Sequence, residues 1–303
     1  MIAAYPSYLA HLESGELERR SRALRAELTR CTLCPRRCGA DRSDPRSAHC
    51  GIGLRARVAA AHPHFGEERV ISGRRGSGTI FFAGCSLRCW FCQNADISHL
   101  RSGKEVSAES LAGTMLDLQG QGVHNINLVT PTHVAPHILE ALVVAARKGL
   151  RLPLVYNSGG YDSVRTLRML DGVVDVYMPD FKYAHPKPAR RLSGAADYPR
   201  AARMALIEMH RQVGHLVTGP AGIAYRGLLV RHLVLPDDQA GTRSCMQFLA
   251  ETLGSRTHVN LMDQYRPAYL SHRRPEVDRP LKRAEYLDAL RAAEEAGVTV
   301  LSG

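Results

Sequence analysis

From Thr79 onward the chain alternates short apolar runs with amphipathic stretches, and this constrains its fold more than any other feature. Strand-like runs occupy Thr79 to Ala83, Ile126 to Val129, Leu152 to Tyr156, Val173 to Met178, Leu228 to Leu235 and His258 to Met262. Helix-like stretches lie near Ala108 to Gln119, Val134 to Lys148, Asp162 to Leu170, Tyr198 to Val213, Cys245 to Leu253 and Arg283 to Ala296. Strands separated by helical crossovers pair in parallel, with the helices covering the sheet. Six strands fall short of a closed eightfold barrel. The expected fold is therefore α/β, an open partial (β/α)6 TIM-like barrel, with Val298 to Leu301 available as a seventh, edge strand. Chemistry in such a barrel gathers beyond the carboxyl ends of the strands.

The first strand leads through Gly84 into Cys85-Ser86-Leu87-Arg88-Cys89-Trp90-Phe91-Cys92. Thiols this close share a ligand, and thiolates select soft metals and iron-sulfur clusters. No fourth cysteine follows them. Three thiolates on a four-iron cube leave one iron open, as an open catalytic zinc site keeps a position that a closed structural one lacks.

Upstream, Cys31, Cys34, Cys38 and Cys50 make a complete metal set, which implies a structural or electron-relay role. Four thiolates suit zinc and a second 4Fe-4S cluster equally. Before them, Tyr8 to Arg30 has Leu9, Leu12, Leu17, Leu24 and Leu28 at helical spacing and reads as a packing helix. The expected organisation is a helix and four-cysteine extension over 1–75, then the barrel over 76–303. Arg55 to Arg74 reads as short strands and turns without chemistry, and His62 and His64 as polar side chains in a solvated loop. Cys245 is the one thiol outside both sets, either inert on the apolar face of a helix or a hydrogen-atom donor.

The 303 residues, 45% hydrophobic and 23% charged, suit an ordinary α/β globule. Met1 to Pro6 has no basic region leading into an apolar one, and no later run approaches a membrane span. A cytoplasmic location follows as an expectation, and there the eight cysteines serve as ligands and not as disulfides. The net charge of +11 lies in no long basic block and beside no aromatic RNA motif. It reads as a solvated surface that helps bind an anionic substrate; neither a membrane nor a nucleic-acid partner is expected. The competing reading of another class is a non-catalytic, metal-stabilised module that binds nucleic acid or relays electrons.

The strand ends carry the informative residues. Thr130 and Thr132 in Val129-Thr130-Pro131-Thr132-His133 bring hydroxyls and free backbone groups. Asn157 and Ser158 precede two glycines that allow close backbone approach. Asp180 and Lys182, two apart on an extended segment, point to one face. Arg231 sits in an apolar run and needs an anionic partner, a bound ligand or a structural carboxylate. Gln264, Tyr265 and Arg266 follow the sixth strand as a substrate mouth or as loop packing.

With Phe91 just before its last cysteine, the CxxxCxxC loop resembles the cluster motif of the radical S-adenosylmethionine (SAM) superfamily. The stretches CxLCPRxCG, HNINLVTPTH, VYNSGGY, VDVYMPDFKY, VRHLVLP and NLMxQYRPAY together resemble homologues of the pyruvate formate-lyase activating enzyme. The resemblance implies a 4Fe-4S cluster on Cys85, Cys89 and Cys92 whose open iron chelates SAM. An electron then cleaves SAM to methionine and a 5'-deoxyadenosyl radical. It also implies that Phe91, Thr130, Thr132, Asn157, Ser158, Asp180, Lys182, Arg231 and Gln264 line the cofactor. Thr130 and Thr132 stand where the family usually has Gly-Gly-Glu-Pro, and Asn157 stands for an Asp. A reductant of flavodoxin or ferredoxin type is implied. The substrate is then either a glycyl-radical partner enzyme or a small molecule, such as a sugar epimerised at carbon with Cys245 returning the hydrogen. Cys245, Tyr265 and Arg266 are the candidate catalytic residues.

Overall fold

The computed structural model describes residues 5–301; the first four residues of the Met1 to Pro6 opening lie outside that range. Its strands are β1 (Ala56–His64), β2 (Ser77–Phe82), β3 (Lys104–Val106), β4 (Ile126–Val129), β5 (Leu154–Ser158), β6 (Val176–Pro179), β7 (Val217–Thr218), β8 (Ala224–Leu233), β9 (His258–Met262) and β10 (Thr299–Val300). They form one sheet in the order β10-β9-β8-β6-β5-β4-β2-β1-β3, with β7 paired to β8 alone. Every pairing from β2 through to β10 along that path is parallel. The fold is the α/β parallel-strand architecture of a partial TIM-like barrel, with the seventh strand at its edge.

The helices are α1 (Tyr8–Glu13), α2 (Glu16–Ala26), α3 (Arg69–Ser72), α4 (Ala95–Ser98), α5 (Ala108–Gly120), α6 (Ala135–Arg147), α7 (Val164–Met169), α8 (Pro186–Ser193), α9 (Tyr198–Val213), α10 (Thr242–Leu253) and α11 (Arg283–Ala296). Three features correct the sequence reading. The single helix over Tyr8 to Arg30 is broken at Ser14-Gly15, because Gly15 takes the left-handed conformation, φ +72°. Arg55 to Arg74 holds one nine-residue strand, β1, and not several short ones. It pairs antiparallel with β2 from Val58↔Phe82 to His64↔Ser77, and Pro63 and the histidines hide its alternation. The helix α8 was not expected. It opens on Pro-Lys-Pro, with Pro tolerated in a first helical turn.

The two faces of the strands sort the core. Leu154, Tyr156, Tyr177, Leu228 and Val230 join the large cluster under the helices. Their neighbours Val155, Val176, Met178 and Leu229 form a second cluster with Ile71 of α3 and Leu216. Alternation along the strands makes this second cluster the inner face, so α3 and the residues before it plug the barrel from within. The 1–75 segment shares the same sheet through β1 and the same core through Leu17, Leu24 and Leu28, which are buried with Ala141, Leu142 and Ala145 of α6. Among the described residues, no helix is long and apolar enough to cross a membrane.

Candidate active site

The three-cysteine loop leaves the carboxyl end of β2 through Gly84, φ +80°. A Cβ there would stand 2.8 Å from the Cys50 carbonyl oxygen and 2.7 Å from Ile52 Cγ1. Only glycine fits this approach, so the loop packs directly on the end of the four-cysteine unit.

Each sulfur in the loop has a polar neighbour. The Leu87 N–H donates to Cys85 Sγ at 3.3 Å, and the Ser193 hydroxyl, at the end of α8, to Cys89 Sγ at 3.1 Å. Cys92 Sγ lies 3.1 Å from Ser98 Oγ. Burial pushes the Cys85 thiol up to about 12 and the Cys89 thiol upward as well. Thiols in such surroundings ionise when a metal binds them, since a coordinating metal deprotonates a thiol outright. Three soft donors, each with a hydrogen-bond partner, fit an iron-sulfur cluster. Among the described residues no three His, Cys, Asp or Glu side chains converge closely enough for a single metal ion.

Lys182 approaches the same sulfurs. Its ammonium pairs with Asp180 at 2.5 Å, both side chains being 18% exposed. Burial works against its charge, but Asp180 and the Cys89 and Cys92 sulfurs more than offset it, and its affinity for the proton rises. The sequence placed Asp180 and Lys182 together, and the structure joins them. They stand just beyond the end of β6, where Tyr198 Oη accepts the Lys182 N–H at 2.9 Å.

Arg231 finds its anions inside the protein. Its guanidinium lies 3.3 Å from Glu67, 3.5 Å from Glu68 and 3.7 Å from Asp180. Asn127 and Asn157 donate to Glu67 Oε1 at 3.3 and 3.4 Å, and Asn260 donates to Glu68 at 2.7 Å. Burial raises the Glu67 carboxyl above the usual carboxylate range, against the pull of Arg231. Of the two partners foreseen for Arg231, the structure supplies the carboxylates. Sequence reasoning missed Glu67 and Glu68, which reach the lumen from the plug before α3. The adjacent acids after Gly66 were the only available signal.

Thr130 has φ +59°, a strained conformation for a β-branched residue that collects at functional sites. Its N–H donates to the Asn157 carbonyl at 2.8 Å. Thr132 and Ser158 behave differently from expectation, because both hydroxyls donate to buried Asp162 at 2.6 Å. Tyr156 adds a third hydrogen bond at 3.1 Å. Asp162 thus laces the loops after β4 and β5 together, and the two hydroxyl protons are used in doing so.

Phe91 is buried edge-to-face against Tyr265, 5.7 Å between ring centroids. The Tyr265 hydroxyl is committed to the Val277 carbonyl, so this phenol packs the loop, the alternative foreseen for it. Gln264 is exposed, its carbonyl accepting from Gln93 at 3.1 Å, and Arg266 is exposed. Cys245 is corrected towards the inert reading. It is fully buried on the core-facing side of α10, its thiol 3.8 Å from the Ala240 carbonyl.

The four-cysteine unit has Cys31, Cys34 and Cys50 buried and Cys38 exposed. Fully buried Arg42 lies against it, donating to the Ile52 and His133 carbonyls at 2.6 and 2.8 Å. Burial pushes the Cys34 thiol up to about 12. A guanidinium enclosed beside four thiols answers the negative charge that a metal-thiolate centre would carry, so the donor set and its counter-charge suit such a centre.

A family model described as the Radical SAM superfamily matches residues 79–224. An uncharacterized protein of Methanocaldococcus jannaschii is 31% identical over 280 residues, spanning 89% of this chain and 76% of its own length. A crystal structure of a radical SAM methyltransferase from Sphaerobacter thermophilus superposes with a TM-score of 0.52 at 14% identity. The match covers 74% of this chain and 65% of that one. At that identity the likeness concerns the fold alone.

Proposed function

The chain belongs to the radical SAM superfamily, and on that premise we propose that it cleaves SAM reductively and abstracts a hydrogen atom from a substrate C–H, in the manner of a glycyl-radical activase. The observation that carries this reading is the placing of Cys85, Cys89 and Cys92 at the carboxyl end of β2. Each sulfur has a hydrogen-bond partner, and the Asp180–Lys182 pair stands beside them. When bound, the cluster supplies the low-potential electron that splits SAM into methionine and a 5'-deoxyadenosyl radical.

The chain's own residues hold, orient and shield. Lys182 balances thiolate charge, and Thr130, Asn157 and Asp180 present backbone and side-chain polar groups at adjoining strand ends. The Glu67–Arg231–Glu68 layer supports them from below. Phe91 and Tyr265 close the loop against water, which protects a reactive intermediate from side reactions. The burial of Cys245 favours abstraction without return of a hydrogen from that thiol. A partner that keeps the radical suits this better than an epimerised small molecule. A flavodoxin- or ferredoxin-type protein is the proposed reductant, and the four N-terminal thiols are proposed to hold a second 4Fe-4S cluster; zinc, the other occupant, would need these side chains drawn closer together than they stand.

The test is anaerobic reconstitution, reduction and assay for 5'-deoxyadenosine. The reading expects its formation in the wild type and its loss in Cys85→Ala, Cys89→Ala and Cys92→Ala. Iron content separates the two occupants of the upstream thiols, about eight per chain meaning two clusters and about four meaning one. A wild-type protein that binds iron through the three-cysteine loop and never yields 5'-deoxyadenosine sinks the proposal.

A further inference from the structure

Arg36 lies between Cys34 and Cys38 and belongs by sequence to the four-cysteine unit, yet its side chain leaves that unit. Its Nε–H donates to the Ser86 carbonyl at 2.9 Å, and Nη2 to the Leu87 carbonyl at 3.2 Å and the Ser193 carbonyl at 2.8 Å. Nη1 donates to the Gly194 carbonyl at 2.5 Å. The guanidinium carbon also sits 5.3 Å from the centre of the Tyr161 ring.

Two of these carbonyls belong to the segment between Cys85 and Cys89, and two to the end of α8, whose Ser193 hydroxyl meets Cys89 Sγ. One planar group therefore clamps the three-cysteine loop to the helix that hydrogen-bonds its central sulfur. Two further contacts cross the same boundary. Gly84 lies against the Cys50 carbonyl, and Arg88 donates to the His49 carbonyl at 3.4 Å. The base of Arg36 is set by a turn in which the Arg37 N–H donates to the Cys34 carbonyl at 3.0 Å. A metal bound by Cys34 and Cys38 would brace that turn from both ends.

We propose that Arg36 is a positioning residue through which the four-cysteine unit, when loaded, sets the geometry of the three-cysteine loop. The N-terminal centre then acts as a gate on SAM binding at the other site. This rests on the reading above that the three-cysteine loop holds the SAM-binding cluster. Arginine is required because its fork serves several carbonyls in a plane and lies against an aromatic ring, whereas a lysine ammonium is a single point of charge.

The test compares the wild type with R36K, R36M and the double variant C31S/C34S, each reconstituted anaerobically and checked for fold by circular dichroism. The readouts are iron content, the EPR spectrum of the reduced three-cysteine cluster with and without SAM, and the SAM dissociation constant. R36K is expected to keep the wild-type iron content, to lose the SAM-induced change in g-values and to bind SAM about tenfold more weakly, a shift of ~1.4 kcal/mol. C31S/C34S is expected to reproduce that spectrum at the three-cysteine cluster, although it changes no residue of that loop. Wild-type spectra and affinity in R36K overturn the proposal, and so does an unaltered three-cysteine cluster in C31S/C34S. If R36M misfolds, R36K alone decides. Formation of 5'-deoxyadenosine by the wild type is scored separately. Its absence, with R36K still spectroscopically distinct, sinks the radical reading and leaves the clamp in place.

Discussion

Replacing Arg231 by Met distinguishes an internal ion network from a cofactor contact. The guanidinium is 19% exposed and faces Glu67 at 9%, Glu68 at 6% and Asp180 at 18% exposure. Without it Lys182 still neutralises Asp180, but Glu67 and Glu68 are left as neighbouring buried carboxylates with only amide donors. Removing one partner of a buried pair costs about 3–5 kcal/mol. The N···O separations here are long, which puts Arg231→Met near the lower end. With a urea m-value of about 3 kcal/mol/M, the unfolding midpoint falls by ~1 M. Adding Glu67→Gln removes the like-charge contact, and the double variant is expected to recover ~1–2 kcal/mol of the loss, a coupling that a double-mutant cycle isolates. The assay is urea unfolding of reconstituted protein under anaerobic conditions, followed by far-UV circular dichroism. A bound cluster complicates two-state analysis, so midpoints at equal iron content are compared. A midpoint within ~0.2 M of wild type, together with lost SAM binding, would refute the reasoning and make Arg231 a ligand contact.

Ser193→Ala removes the hydroxyl donor to Cys89 Sγ. Hydrogen bonds to cluster sulfurs raise reduction potentials, and a bond worth ~1 kcal/mol corresponds to about 40 mV for one electron, so redox titration by EPR should show a fall of that order. Cys245→Ala is expected to keep full 5'-deoxyadenosine formation and to lose about 1 kcal/mol of stability by thermal denaturation; lost turnover in a folded variant would restore the hydrogen-donor role. Burial holds His133 down at about 3, and His137 and His232 at about 4. Their unfolded forms take up protons first, so stability is full above about pH 6.5 and is lost as the pH falls through about 4. Urea midpoints measured from pH 7 to pH 4 should decline, less steeply in His232→Gln than in wild type.

Asn157, Asp180 and Lys182 were legible in the sequence because strand ends announce themselves: an apolar run stops and polar residues follow at a spacing that fixes their face. Arg231 was legible because a guanidinium inside an apolar run needs an anionic partner. Glu67 and Glu68 were illegible for the converse reason, lying in a turn far from the strands they meet. Thr132 and Ser158 have the composition of ligand groups, and only the position of Asp162 shows that their protons are already used. Tyr265 looked like part of a substrate mouth until Val277 proved to hold its hydroxyl.

By itself the chain's order of residues determined the parallel α/β layout and the two cysteine groups, since periodicity and close spacing are local properties that no distant contact can rearrange. Which carboxylates neutralise Arg231, and that Arg36 leaves its own cysteine unit to grip the next, were decided by tertiary structure alone. Those outcomes join residues up to 164 positions apart. Burial and charge compensation act through space, and nothing in the local sequence specifies the partner.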